Sequence, residues 1–532
     1  MPNYSAISGE GSASTGDMAR QKRARGRQKE GGGGQATMVS SVINLLNTII
    51  GAGTLAMPSA MSHFGMTIGV IVILWSGFTS SFGLYLQSRC ARYLDRGSSS
   101  FFALSQMTYP NAAVIFDAAI AIKCFGVAVS YMIIIGDLMP GVVEGFDSRV
   151  SDIPYLTDRN FWITVFMLVI IPLSFLRRLD SLKYTSIIAL VAIGYLIVLV
   201  VYHFAADTLA PRDKIRFVAW GGPVEALASL PVVIFAYTCH QNMFSILNEI
   251  KYNSPASIMG VISTSIGSAA GIYVLVAITG YLTFGNDVIG NIVSMYPASI
   301  ASTIAKAAIV VLVTFSIPLQ VHPCRASVDA VLKWRPADVS RQVRTTSPGG
   351  RPLLASTSQA RSDHGPGAPM SDVRFAILTT IILILGYIVA LTVVSLERVL
   401  AYVGSTGSTS ISFILPGLFY YKISDPDSIH HQRLTKEDDD AMSVSESESD
   451  DGEGDEGLLG RSVESIHSVA SGSSGRTKST KSSWRCRRKW RWDMEHINPE
   501  VLRGASLALA IYGICVMAVC LAMNLVGTVT TH

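Results

Sequence analysis

The stretch Asn44–Ala60, NLLNTIIGAGTLAMPSA, is apolar yet poorly suited to a continuous helix. Its flanks are helical in character, but Gly51 and Gly53 stand two apart in its middle and Pro58 follows. Each glycine costs about 1 kcal/mol relative to alanine inside a helix, and proline removes an amide donor. A helix that breaks in hydrocarbon leaves peptide groups without partners. That is tolerated only where the backbone is buried in protein or lines a wet cavity. The plainer alternative is that the two glycines let neighbouring helices pack closely.

The hydrocarbon setting follows from composition. Only 15% of the 532 residues are charged, against about 25% in an ordinary soluble chain. The chain therefore reads as an all-α, polytopic membrane protein. A net charge of +4 is too small to imply a nucleic-acid partner, and seven scattered cysteines give neither metal spacing nor a disulfide framework. No cleavable signal peptide is expected at the start. Apolar runs long enough to cross a bilayer recur at about 38–62, 67–90, 112–140, 161–177, 182–204, 223–248, 256–284, 300–323, 373–396, 399–421 and 504–528, giving eleven spans.

Basic residues gather in alternate gaps: Arg89, Arg92 and Arg96; Arg177, Arg178 and Lys183; Lys251; and Arg325, Lys333, Arg335, Arg341, Arg344, Arg351 and Arg361. The gap after span three is acidic instead, with Glu144, Asp147, Asp152 and Asp158. The positive-inside rule then places the amino terminus in the cytosol and, with eleven spans, the carboxyl terminus on the far side. Residues 1–36 read as a disordered cytosolic tail with a basic cluster from Arg20 to Lys29. Disorder is also expected in the insertion at 337–371 and the cytosolic loop at 423–502. In that loop Ser445 and Ser447 each have an acid three residues on, which suits an acid-directed kinase as well as a solvated spacer. Its basic-aromatic end, Trp484–Trp492, is placed to meet anionic headgroups rather than nucleic acid.

A second interruption lies in span six. Pro231 stands in its first half, and Tyr237, Thr238, Cys239, His240, Gln241 and Asn242 crowd its middle. Polar groups buried without partners cost free energy, so no simple lipid-facing helix would carry them together. Spans one and six are five apart, and an odd interval inverts the second unit. Interrupted segments at matching positions of inverted halves mark the leucine-transporter-like five-plus-five fold. The halves are then 37–204 and 205–422, with 503–532 holding an eleventh helix and a short far-side end. Each interruption creates a half-helix amino end that suits a carboxylate and a carboxyl end whose carbonyls suit a cation. A free amino acid carries both charges on one carbon. In that picture Gly51 and Gly53 let it approach the backbone closely.

Five motifs carry a wider resemblance: NTIIGAGTLAMPSAM, CFGVAVSYMIIIGDLMP, FAYTCHQNMFSILNEI, VTFSIPLQVHPCR and GSTGSTSISFILPGLFYYK, in that order. The membrane part resembles the amino acid/auxin permease family, and within it the fungal vacuolar amino acid transporters, which are related to sodium-coupled neutral amino acid transporters. The resemblance implies an eleven-span secondary active carrier in the vacuolar membrane, proton-coupled and moving amino acids from lumen to cytosol. The substrate contacts expected at the two breaks are Thr48, Gly51, Ala52, Gly53, Thr54, Tyr237, Thr238, His240 and Gln241. Asn47 and Thr314 look like the cation-binding positions of the sodium-coupled relatives, and Ile50 is a candidate beside them. No cofactor is implied, and the coupling ion is left as proton or sodium, since amide, hydroxyl and carbonyl oxygens suit hard cations.

Several residues admit a functional and a plain reading. His240 is a proton relay or a histidine that bonds a loose carbonyl. Lys123 in span three fills a cation site, pairs with an acid, or snorkels to the interface. Glu249 and Lys251 form a gate pair or a weak interfacial pair. Asp137 caps a neighbouring helix or accepts a proton. Thr54 and Thr238 contact substrate or satisfy backbone opened by the breaks. The rival from another class is an amino acid receptor signalling through its cytosolic tails. An enzyme is not indicated, because the chain contains no HExxH, GxxxxGK[ST] or GxSxG motif.

Overall fold

The computed structural model describes residues 36–94, 97, 99–147, 149, 153–176, 185–206, 209–333, 370–428, 431–432 and 499–530. The amino-terminal basic cluster, nearly all of the 337–371 insertion, Ser445, Ser447 and the basic-aromatic block lie outside these residues. Residues 425–498 form a separate unit, of which only a few residues are described.

The rest is helical. The helices are α1 (Met38–Ile49), α2 (Ala52–Phe64), α3 (Met66–Ala91), α4 (Phe101–Thr108), α5 (Ala113–Phe146), α6 (Arg159–Ser174) and α7 (Thr185–Ala206). They continue with α8 (Pro223–Ala236), α9 (His240–Glu249), α10 (Pro255–Phe284), α11 (Ile300–Lys333), α12 (Asp372–Thr392), α13 (Leu396–Val403), α14 (Leu415–Ile423) and α15 (Pro499–Thr530). Among the described residues eight helices are long and apolar enough to cross a membrane, and α1 with α2, bent by 54°, makes a ninth. Each of the eleven expected spans falls on helix. The helix α6 has only 16 residues, and the tenth stretch is divided by two π-helical turns, Gly404–Ser408 and Ser410–Ile414, between α13 and α14. Helix α11 runs ten residues past its expected end at 323 because Pro323 lies inside it without ending it.

Local chemistry explains where helices start. Thr37, Ser100, Asp158, Ser254 and Ser395 each accept a hydrogen bond from an amide in the first turn of the helix that follows, satisfying one of its orphan donors. The longest packing seam is between α5 and α11, each of 34 residues, or about 51 Å of helix. They run antiparallel. The Cys324 thiol meets the Ala121 carbonyl at 3.5 Å, while side chains added at Gly141 and Gly145 would meet Lys306 and Thr303. Helix α6 packs on the same pair. There Asp137 of α5 binds Arg159 Nε at 3.1 Å, and Arg159 Nη2 donates to the carbonyls of Ala390 and Val393 at the end of α12. Asp137 thus fixes an arginine that closes a neighbouring helix end.

Spans one and six also lie side by side in opposite directions. The Ala36 amide donates to the Glu249 carbonyl and the Lys251 amide to the Ala36 carbonyl, both at 2.9 Å. Asn242 Nδ2 donates to Thr48 Oγ1 at 2.8 Å. A side chain added at Gly53 would lie 2.5 Å from Ala236 Cβ, and His63 faces Glu225. The pairing advances steadily along both chains, so the two interruptions come to the same depth. In this register the backbones of Glu249 and Lys251 both pair with Ala36.

Candidate functional site

The first interruption is a change of backbone. Ile50 is extended, with φ −78° and ψ 105°, and Gly51 starts α2 with φ −158° and no side-chain cap. The second occupies Tyr237–Cys239, between α8 and α9, within a segment that otherwise runs on as one span of 27 residues. Its α9 also starts without a side-chain cap, at Cys239. Two half-helix amino ends therefore face mid-depth with backbone N–H groups that no side chain caps, each equivalent to about half a positive charge.

The carboxyl ends of α1 and α8 are treated differently. The Tyr273 hydroxyl, on α10, lies 2.7 Å from the Ile49 carbonyl oxygen and 2.8 Å from that of Ala236. One hydroxyl carries one proton, so it serves the two carbonyls alternately or by sharing. Thr54 is buried against the same hydroxyl. The Tyr237 ring packs edge-on to Tyr273 at 5.1 Å. Tyr131 of α5 brings its hydroxyl to Gly51, 3.5 Å from where a side chain would begin.

Around this core several buried polar atoms have no hydrogen-bond partner among the described residues: Asn47 Oδ1, Tyr237 OH, His240 Nδ1, Gln241 Oε1, Ser80 Oγ and Ser408 Oγ. Groups like these, held apart from lipid and not satisfied by each other, suit a polar guest. His240 Nε2 sits 3.1 Å from the Ser80 carbonyl, so it carries the proton and donates, leaving Nδ1 as an acceptor. The Gln87 amide donates to the His240 carbonyl at 2.9 Å. The carbonyl-bonding role weighed for His240 is thus present, with one ring nitrogen still open.

The expected site residues divide by role. Asn47, Thr48, Ile50, Gly51, Ala52, Gly53 and Thr54 all lie at the first interruption, and Tyr237, Thr238, His240 and Gln241 at the second. Gly53 is required by protein: Ala236 occupies the space its side chain would fill. Of the two readings given for the glycines, close packing of the two breaks is the one the surroundings of Gly53 display. Thr238 donates to the Ile234 carbonyl at 3.0 Å and accepts from Ser412 at 3.3 Å. Thr48 donates to the Asn44 carbonyl and accepts from Asn242. Both threonines therefore tidy broken backbone and bind the elements together. Thr314, on α11, gives its proton to the Val310 carbonyl at 2.6 Å, which leaves its lone pairs for a cation. No hydrogen bond joins it to Asn47 or Ile50 among the described residues.

Lys123 is only 4% exposed, with its Cβ and amide against Gly407. Buried among helices, it does not snorkel to the interface, and no carboxylate pairs with it among the described residues. Sequence reasoning passed over Tyr131, Tyr273, Ser80 and the π-helical turns. The repeated Gly-Ser-Thr of 404–409 was the available signal for the last of these, since π turns gather at functional sites.

Comparison with known proteins gives this arrangement a context. Residues 34–442 match the family model described as transmembrane amino acid transporter protein. The chain belongs to that family. It is a transporter family, not one of enzymes. The chain is 45% identical over 395 residues to vacuolar amino acid transporter 5 of Schizosaccharomyces pombe, covering 74% of this chain and 86% of that one. It is 41% identical over 408 residues to vacuolar amino acid transporter 6 of Saccharomyces cerevisiae, covering 73% and 90%. A more distant family relative is sodium-coupled neutral amino acid transporter 7 of Danio rerio, 25% identical over 404 residues and covering 74% and 80%. Family membership fits the uncapped amino ends and polar atoms that gather at the two interruptions.

Proposed function

We propose that the chain is a secondary active carrier of amino acids in the vacuolar membrane, coupled to protons and moving its substrate from lumen to cytosol. The observation that carries this reading is the pair of interruptions at one depth, with uncapped helix amino ends beside unpartnered polar atoms. The substrate carboxylate meets the N–H groups of Ala52, Gly53, His240 and Gln241. The hydroxyls of Tyr237 and Thr54, with the open atoms of His240 and Gln241, orient the remainder. The substrate ammonium competes with the single Tyr273 proton for the carbonyls of Ile49 and Ala236. Asn47, Ile50 and Thr314 remain the proposed place for a sodium ion, should the coupling ion be sodium.

The tenth stretch and the short α6 complete eleven spans in this reading, arranged as two inverted sets of five with α15 added. The amino terminus lies in the cytosol and the carboxyl terminus in the lumen. Ser445 and Ser447 are offered to a kinase from the cytosolic side. Spans one and six rock together against α5 and α11, because Ala36, Thr48 and Gly53 of one hold Lys251, Asn242 and Ala236 of the other.

The test is uptake of a radiolabelled amino acid panel by proteoliposomes under imposed proton and sodium gradients in turn. Accumulation driven by the proton gradient supports the reading. Accumulation driven by sodium alone overturns the proton assignment. Saturable binding with no flux under either gradient points to the receptor alternative.

A further inference from the structure

The end of α2 opposite the amino terminus carries a cluster of ionisable groups remote in sequence from one another. His63, in the last turn of α2, faces Glu397 of α13 through Nε2 at 3.3 Å and Glu225 of α8 through Nδ1 at 3.6 Å. Glu397 is the node. Its Oε2 accepts from Ser59 Oγ of α2 at 2.7 Å, and its Oε1 accepts from Ser229 Oγ of α8 at 3.2 Å. Gly290 packs against the Glu397 backbone and Cβ, 3.1 Å from where a side chain would begin. Arg216 reaches Glu225 at 3.9 Å and donates to the Ser62 carbonyl at 3.4 Å.

A neutral imidazole has one N–H and one lone pair, so one of its nitrogens would present a lone pair to a carboxylate. Only the imidazolium meets both acids favourably. The side chains are neither fully wet nor dry, His63 being 30% and Glu397 22% exposed. A proton can therefore arrive from that face of the membrane, and the charge it leaves is poorly screened. The three elements joined are the far-end halves of both interrupted spans and the start of the helix that runs beside them. No residue of the cluster lies at the interruptions themselves.

We propose that His63, Glu397 and Glu225 form a proton-binding latch that shuts the far-end mouth of the carrier when His63 is charged. The sign follows from the contacts. Below the titration of His63 the imidazolium bridges α2, α8 and α13; as pH rises through it, one carboxylate faces a lone pair and the bridge opens. For its consequence the inference rests on the carrier reading: a proton taken from an acidic lumen closes the lumenal mouth and pulls the carrier toward its cytosol-facing state.

The test uses the full-length protein in proteoliposomes. Amide exchange of Ala52–Phe64 and Leu396–Val403 is followed from about pH 5 to 8, where histidine changes charge, after correction for the intrinsic pH dependence of exchange. The latch requires protection at the acid end that falls roughly tenfold toward pH 8, the factor a charge-assisted hydrogen bond supplies. H63Q abolishes the step, leaving exchange fast at every pH. H63R, with a permanent charge, keeps protection at every pH. E397Q, which preserves shape while removing the acceptor charge, also loses the step, and unchanged exchange in α5 and α11 certifies that each variant is folded. A step that persists in H63Q, or its absence in wild type, overturns the latch. Flux is measured in the same vesicles. A wild type that shows the step but moves no amino acid keeps the latch and loses the carrier reading; a carrier that transports without the step does the reverse.

Discussion

The two interruptions reach the same depth by opposite means. The first turns the chain by 54° through an extended Ile50 and a glycine. The second keeps one overall direction and consists of three residues with side chains, Tyr237, Thr238 and Cys239. At the first, what matters is the side chain that is missing: Gly53 leaves the space Ala236 enters. At the second, what matters is the side chains present: Thr238 satisfies Ile234, and Ser412 leans on Thr238. A break built from absence fails when anything is added, whereas one built from partners fails gradually as they are removed.

The largest effect is therefore expected at Gly53. Gly53→Ala places Cβ 2.5 Å from Ala236 Cβ and 2.8 Å from its Cα, and overpacking of this kind costs about 1–3 kcal/mol. Gly53→Val should abolish flux in proteoliposomes and lower the thermal midpoint. Pairing Gly53→Ala with Ala236→Gly should recover part of both. If the single variant transports normally, or the pair recovers nothing, the contact is not what requires glycine.

Tyr273→Phe ranks next, because one hydroxyl serves both interruptions. Leaving a buried carbonyl without its donor costs about 1–3 kcal/mol. Amide exchange should quicken on both sides of both breaks, at Ile49–Gly53 and at Ala236–His240. Quickening at one break alone would show that the proton belongs to that carbonyl, and would sharpen the contrast between the two. A smaller effect is expected from the Asn242–Thr48 link. In a double-mutant cycle of Asn242→Leu with Thr48→Val, the coupling read from unfolding should be near the 1 kcal/mol typical of a single hydrogen bond. Coupling near zero would mean that the two spans are held in register by Gly53 and Ala36 without it.

How much of this was legible in sequence follows the same divide. Gly51, Gly53 and the polar run at 237–242 announce their breaks locally, because glycine and crowded polar groups disfavour a buried helix wherever they occur. The apolar runs likewise lie mostly on helix among the described residues, eight or nine of them as long apolar helices, since hydrophobicity over about 20 residues needs no tertiary knowledge. What escaped depends on partners distant along the chain. Nothing around Tyr273 says that its hydroxyl meets residues 49 and 236, and nothing around Glu397 says that Ser59, His63 and Ser229 converge on it. Lys123 was noticed, but an isolated lysine in an apolar run does not reveal whether it will be buried or reach the interface. The glycine at 53 left two readings open in sequence, because only the neighbouring Ala236 shows what fills its space.

The smallest effect separates the two kinds of break most cleanly. Thr238→Val keeps the shape of the side chain while removing the proton given to Ile234 and the oxygen offered to Ser412. The Ile234 carbonyl, at the last turn of α8, then loses its side-chain donor at a cost of about 1 kcal/mol, the ordinary worth of such a bond. Exchange should quicken at Phe235–Cys239 and stay unchanged at Ile49–Gly53, because neither of these two hydrogen bonds of Thr238 reaches the first break. Flux should fall modestly and not vanish. An equal response at the first break would mean that the two interruptions move as one unit whatever their construction. The distinction between a break made by absence and one made by partners would then have no mechanical meaning.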